Sequence, residues 1–88
     1  MAFVYILRSL KSNTYYIGST KDIIRRFRQH NSGNVFSTKY KRPFELVFSQ
    51  EYQTIQQACK IEKKIKNWKR KDFIEKIIKD GYIKYMGL

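Results

Sequence analysis

The chain has 88 residues, with 19 lysines and arginines against 7 acidic residues, which gives a formal net charge of +12. This length predicts one domain over residues 1–88, and its single cysteine excludes an internal disulfide or a cysteine-based zinc site. We therefore expect a cytoplasmic, unprocessed protein with no membrane partner, whose charge favours nucleic acid over a role in solubility alone.

The first predicted elements form a β-hairpin. Residues 2–8 and 14–19 are rich in β-branched and aromatic side chains, and residues 9–13 between them are typical of a turn. Strand side chains alternate between faces, so each strand presents a defined set on each side. One face of the first strand carries Phe3, Tyr5 and Leu7, and the other carries Val4 and Ile6.

The next segment predicts a helix from an Asp22 N-cap through His30, ended by residues 31–34. Its inward stripe is predicted to consist of Ile23, Ile24 and Phe27. Arg26 borders this stripe with His30 one turn further on, whereas Arg25 and Arg28 are expected to be exposed. An arginine at the edge of a sheet can then be held rigidly.

A basic loop and a third strand follow. Residues 35–42 precede Pro43 and predict a loop that contacts phosphate groups. Residues 44–52 predict a strand. Its alternation places Phe44, Leu46 and Phe48 on one face and Glu45, Val47 and Ser49 on the other.

Two helices complete the predicted order. Thr54 and Gln57 form a capping box for a helix reaching Trp68, in which Glu62 falls inside the apolar arc. A basic break then leads into a helix that ends at Gly81. The break consists of Lys69, Arg70 and Lys71, and the predicted inward residues of the last helix are Phe73, Ile74, Ile77 and Ile78. The fold class is therefore α+β, a small three-stranded antiparallel sheet flanked by helices in the order β-β-α-β-α-α.

Several ordered motifs resemble one known family. They are Val4-Tyr5-Ile6-Leu7, Tyr16-Ile17-Gly18, Arg25-Arg26 with His30-Asn31 and Gly33, Ser37-Thr38 before Pro43, and Glu62 ahead of Ile65-Lys66 and Trp68. Over about residues 2 to 80 the chain resembles the GIY-YIG nuclease superfamily. It is most similar to the small stand-alone bacterial members, which look like the N-terminal nuclease domain of the excision-repair nuclease subunit.

The resemblance implies a metal-dependent DNA endonuclease. By this resemblance Tyr5 and Tyr16 are the signature tyrosines, Arg26 is the catalytic arginine and Glu62 binds Mg²⁺ or Mn²⁺. His30 is included as an accessory base or phosphate contact, although a surface histidine near a helix end is equally compatible with no role. The expected DNA-binding residues are Lys21, Arg25, Arg28, Lys39, Lys41, Arg42, Lys66, Lys69 and Arg70.

Each assignment also has a plainer interpretation. Tyr5 and Tyr16 are compatible with ordinary strand packing, and which of them activates water is open from the sequence. Arg26 is placed to pair with Asp22, and Glu62 to pair with Lys66 on a solvated helix face.

Two positions depart from the family pattern. Phe3 stands where the motif name has glycine, and Ser19 stands where some relatives carry a lysine. The loss of that positive charge keeps two other functions open on the same scaffold. These are a nucleic-acid-binding module without turnover and an adaptor for a DNA repair complex. The preferred hypothesis remains cleavage of DNA, including branched or damaged DNA, in repair or recombination with a repair-protein partner.

Overall fold

The computed structural model describes residues 1–35, 38–68 and 71–83. The strands are β1 (Ala2–Ser9), β2 (Tyr15–Thr20) and β3 (Phe44–Tyr52), and the helices are α1 (Ile23–Ser32), α2 (Ile55–Trp68) and α3 (Lys71–Asp80). β1 is central in a sheet of order β2-β1-β3, and both strand pairs are antiparallel. The α+β class and the element order predicted from the sequence are confirmed.

Both faces of the sheet are covered. Val4 and Ile6 lie on the face that packs against α2 and α3, in the larger core cluster. Tyr5 and Leu7 lie on the opposite face, in a smaller cluster that Ile23 and Phe27 of α1 cover. The predicted alternation along β1 is confirmed, and it places Tyr5 under the arginine-bearing helix.

The predicted alternation along β3 is wrong because the strand contains a bulge. β1 pairs Ile6 with Phe48 but Leu7 with Leu46, so one extra residue is inserted in β3. A bulge of this kind reverses the side-chain alternation beyond it. Phe44 therefore joins the Tyr5 cluster, Phe48 joins the opposite one, and Leu46 is 40% exposed.

Two further apolar residues do not face inward as predicted. Ile24 of α1 is 64% exposed, because the narrow stripe that reaches the sheet needs only Ile23 and Phe27. Phe73 of α3 is 36% exposed, while Ile77 is buried in the core.

The predicted helix starts are confirmed by their hydrogen bonds. Asp22 accepts from the backbone N–H of Arg25 at 3.1 Å, and Thr54 accepts from that of Gln57 at 3.1 Å.

Among the described residues, the helices are too short or too polar to cross a membrane. Lys69, Arg70, Ser37 and the side chain of Trp68 lie outside the described residues.

Candidate active site

The two signature tyrosines lie side by side on neighbouring strands. Tyr5 is paired with Gly18 and Tyr16 with Leu7, so both rings project from the same face, with centroids 6.4 Å apart. The Tyr5 ring lies over the backbone of β2 at Gly18. A Cβ atom on Gly18 would lie 2.6 Å from Tyr5 Cζ, so only glycine leaves room for the phenol.

Arg26 reaches both phenols from α1. Its guanidinium lies within hydrogen-bonding reach of the Tyr5 and Tyr16 side chains, and these contacts raise the pKa of Arg26. Arg26 Nη1 also donates to Gln29 Oε1 at 3.1 Å, which fixes the side chain along the helix. The Asp22 carboxylate caps the helix at the Arg25 N–H. The position of Arg26 is therefore set by the tyrosines and Gln29.

His30 is buried, contrary to the surface position expected from the sequence. It has no exposed area, because its ring packs between the Tyr5, Tyr16 and Phe44 rings at the end of α1. Its Nε2 lies 3.0 Å from the Tyr5 hydroxyl and its Nδ1 lies 2.9 Å from Thr38 Oγ1. Burial, and next the positive charge of Arg26, lower the pKa of His30 to about 4. His30 is therefore neutral at pH 7.

The hydrogen bonds that run from Arg26 to the Val35 carbonyl all have their donors on the same side. Arginine can only donate, so the Tyr5 oxygen accepts from Arg26 and the Tyr5 O–H donates to His30 Nε2. His30 then carries its proton on Nδ1 and donates to Thr38, whose hydroxyl donates to the Val35 carbonyl at 3.4 Å. Both ring nitrogens are used, and His30 holds Tyr5 in place.

The two phenols have different environments. Tyr5 is only 2% exposed, and its burial is the main cause that raises its pKa to about 12, while the Arg26 hydrogen bond acts in the opposite direction. Tyr5 is therefore a neutral hydrogen-bonding group at physiological pH. Tyr16 is partly exposed and has the Lys66 ammonium 5.6 Å from its ring centroid. Of the two phenols, Tyr16 is the one that water and substrate can reach.

Glu62 belongs to α2, which packs on the face of the sheet opposite the tyrosines, and it is held at the β2 edge by Ser19 and by its own helix. Ser19 donates to Glu62 Oε1 at 2.5 Å, and Lys66 Nζ lies 2.6 Å from Oε2. The carboxyl side chain is 18% exposed, which agrees with its predicted place in the apolar arc. The pairing with Lys66, which the sequence left as an alternative, is present as well. Ser19 thus binds the carboxylate directly.

Basic residues extend the site into an open cleft of about 330 Å³. Its lining includes Ser19, Lys21, Arg25, Arg26 and Gln29. A neighbouring hollow on the outer side of α1 adds Arg28 beside Arg25. The loop residues Lys41 and Arg42 are exposed, and Arg42 Nη1 donates to the Ser32 carbonyl at 3.0 Å. Cations thus line the approach to Arg26.

The donor set favours a hard divalent ion over zinc. Within the part of the chain that the structure describes, no group of three or more His, Cys, Asp or Glu residues comes together. Mg²⁺ and Mn²⁺ need only one or two protein carboxylates, with water and substrate oxygens completing the shell. The single, partly exposed carboxylate of Glu62 is the side chain that fits such an ion.

Three residues of the site were not assigned roles from the sequence. Ser19 positions Glu62, Gln29 positions Arg26 and Thr38 positions His30. Gln29 lies one helical turn after Arg26, a spacing that would have identified it. The partners of Ser19 and Thr38 are 43 and 8 residues away and depend on the tertiary fold.

Comparison with known proteins agrees with this geometry. Residues 1–77 match the model of the GIY-YIG catalytic domain. A UPF0213 protein of Staphylococcus epidermidis (strain ATCC 12228) is 38% identical over 80 residues, which cover 90% of this chain and 95% of that protein. The UPF0213 protein YazA of Bacillus subtilis (strain 168) is 35% identical over 77 residues, 83% of this chain and 77% of YazA.

A solved structure shows the same fold. The solution NMR structure of the UPF0213 protein BH0048 from Bacillus halodurans has a TM-score of 0.56 and 32% sequence identity, covering 92% of this chain and 87% of that one. The shared sheet and helices, the paired tyrosines, and the match over most of the chain lead to one conclusion: this protein belongs to the GIY-YIG catalytic domain family.

Proposed function

We propose that this protein is a divalent-metal-dependent endonuclease that hydrolyses phosphodiester bonds in DNA. The observation that carries the proposal is the reach of one guanidinium, that of Arg26, to both phenols at the edge of a cationic cleft. A fixed cation beside a group that can activate water is what phosphodiester hydrolysis requires. The family membership supports the same reaction class.

The different environments of the tyrosines suggest separate roles. Tyr16 orients and activates the attacking water, since it is accessible and lies beside the positively charged side chains of Arg26 and Lys66. Tyr5 is buried and neutral, and it positions Arg26 through the hydrogen bond that it accepts. Arg26 then binds the non-bridging phosphate oxygens and stabilises the charge that develops as water attacks phosphorus.

Glu62 is the residue that would hold Mg²⁺ or Mn²⁺. When bound, such an ion supplies positive charge to the phosphate oxygens and lowers the pKa of a coordinated water. Ser19 keeps the carboxylate in place, so that one oxygen has a fixed direction. Lys66 pairs with the other oxygen, so an ion held by Glu62 would share or replace that contact.

The charge distribution supports DNA as the partner. Lys21, Arg25 and Arg26 line one cleft, and the loop cations Lys41 and Arg42 lie beyond the end of the same helix. This arrangement suits a backbone that is read by its phosphates, including branched or damaged duplexes. A role in repair or recombination, with a repair-protein partner and in the cytoplasm, belongs to the same proposal.

A second candidate is a nucleic-acid-binding module, or repair-complex adaptor, without turnover. The observation that favours it is the engagement of both Glu62 oxygens, one by Ser19 and one by Lys66. A carboxylate that stays in those contacts would not bind an ion. DNA binding without cleavage under every metal condition would support this candidate.

The direct test is a cleavage screen. Purified protein is incubated with branched, nicked, flapped and linear DNA in Mg²⁺, in Mn²⁺ and in EDTA. The endonuclease proposal predicts new DNA ends on at least one substrate in the presence of metal and none in EDTA. Inactivity on all of the substrates in both metals would reject it.

A further inference from the structure

One aromatic side chain outside the active site is strongly exposed on a basic loop. Tyr40 is 72% exposed, the most exposed aromatic residue in the part of the chain that the structure describes. Lys39 Nζ lies 4.9 Å from its ring centroid. Lys41 and Arg42 follow directly and are exposed. The Tyr40 ring thus lies in solvent with one lysine on its face and two further exposed cations next to it in the chain.

The backbone that carries Tyr40 is held from several sides. Ser9 Oγ donates to the Lys41 carbonyl at 2.5 Å, and Lys11 Nζ donates to the Tyr40 carbonyl at 3.3 Å. The Lys41 N–H also donates to the Thr38 carbonyl at 3.0 Å. The ring is therefore exposed on a fixed support, which reduces the entropy lost when it binds a ligand.

The loop is connected to the active site through Thr38. That residue is hydrogen-bonded to His30, which contacts Tyr5. Only Lys39 lies between Thr38 and Tyr40, so the Cα atoms of Thr38 and Tyr40 lie within about 8 Å of each other. Tyr40 is therefore carried by the loop that packs on the His30 end of the site.

We propose that Tyr40 is a stacking platform for an unpaired nucleobase, and that the substrate class is DNA with a single-stranded segment beside the cleaved bond. In a duplex, neighbouring base pairs cover the faces of the internal bases, so the ring is proposed to stack on bases that are unpaired. The surrounding cations match the phosphates on either side of such a base. The inference rests on the proposed DNA partner, but it does not require cleavage.

The test measures binding without turnover. Fluorescence anisotropy in EDTA gives the affinity of wild type, Tyr40→Ala and Tyr40→Phe for a labelled single strand and for a blunt duplex of the same length. Tyr40→Ala is expected to weaken single-strand binding about 5- to 100-fold, because one stacked base is lost, with duplex binding changed by less than about twofold. Tyr40→Phe, which keeps the ring, should bind as wild type does.

Tyr82→Ala is the matched control, because Tyr82 is also an exposed tyrosine, 51% accessible, and follows α3 on the other side of the sheet. If Tyr40→Ala and wild type bind the single-stranded DNA with equal affinity, the inference is overturned, and a protein becomes the candidate partner of the ring. An equal loss on both probes, or a loss in Tyr40→Phe as large as in Tyr40→Ala, would also overturn it. A wild type that binds neither probe would instead reject the proposed DNA partner.

Discussion

Arg26, Tyr5 and His30 form a set in which each residue fixes the state of the next. Arg26 favours an ionised Tyr5, but burial of Tyr5 outweighs it and raises the Tyr5 pKa to about 12. The same burial, with the Arg26 charge, keeps His30 neutral. A neutral phenol and a neutral imidazole leave Arg26 as the charged group of this set, with its positive charge available to a phosphate.

The two tyrosines should differ in their kinetic effects. We expect Tyr16→Phe to lower kcat by about 100-fold or more, since it removes the accessible group that handles the proton of the attacking water. Tyr5→Phe keeps the ring and removes only a positioning hydrogen bond, so its loss of kcat should be smaller. Single-turnover cleavage of the best substrate measures both. A larger loss in Tyr5→Phe would reverse the assignment.

His30 predicts a specific dependence of stability on pH. The unfolded residue takes up a proton near pH 6.5, whereas the folded one remains neutral down to about pH 4 because it is buried. The unfolded state thus binds more protons between these values, and the free energy of unfolding should fall as the pH is lowered from 6.5 to 4, by roughly 1–3 kcal/mol.

Urea unfolding of wild type and His30→Gln across this range isolates the effect. The glutamine does not titrate, so the stability difference between the two proteins should shrink as the pH falls. A difference that is constant with pH would contradict the buried, neutral histidine.

At the scale of the elements, the sequence identified those parts whose signals are local. The Asp22 cap, the Thr54 cap and the alternation along β1 depend on neighbouring residues, and the structure confirms them. The bulge in β3 depends on pairing with β1, and it puts Phe44 and Phe48, which were expected on one face, on opposite faces of the sheet. The burial of His30 depends on Phe44 and Thr38, which belong to later segments of the chain.

The α1 cap links element stability to the site, because α1 carries Arg26, Gln29 and His30. Asp22→Ala removes the acceptor for the Arg25 N–H and should destabilise the protein by about 1 kcal/mol. Asp22→Ser retains a capping oxygen and should recover most of that loss. Urea denaturation at neutral pH measures both variants. Equal stability of wild type and Asp22→Ala would show that the cap contributes nothing.

The composition of the whole chain predicts a polyanionic partner. A net charge of +12 on 88 residues predicts a phosphate-binding surface, and the structure places Lys21, Arg25 and Arg26 in one cleft. The sequence could not show which cations serve another role. Lys66, expected to contact DNA, pairs with Glu62, and Arg42 also caps the end of α1.

The affinity for DNA should depend strongly on salt. Each phosphate that is neutralised contributes about 0.9 to the slope of log Kd against log salt concentration. Three or more contacts therefore predict at least about a tenfold loss of affinity when KCl is raised from about 50 to about 200 mM. Anisotropy titrations of a labelled duplex in EDTA measure this slope. Affinity that does not change with salt would point to the adaptor role.

If the Tyr5 and Tyr16 phenols, Arg26 and Glu62 act as one metal-dependent hydrolytic site, as we propose, Glu62→Gln should remove the metal-dependent activity. This change preserves size and removes the charge that holds a divalent ion. Glu51→Gln is the matched control, because Glu51 is an exposed carboxylate on β3. We expect Glu62→Gln to abolish Mg²⁺- or Mn²⁺-dependent cleavage in single-turnover assays while DNA binding persists and Glu51→Gln cleaves as wild type does. Full cleavage by Glu62→Gln would contradict the account.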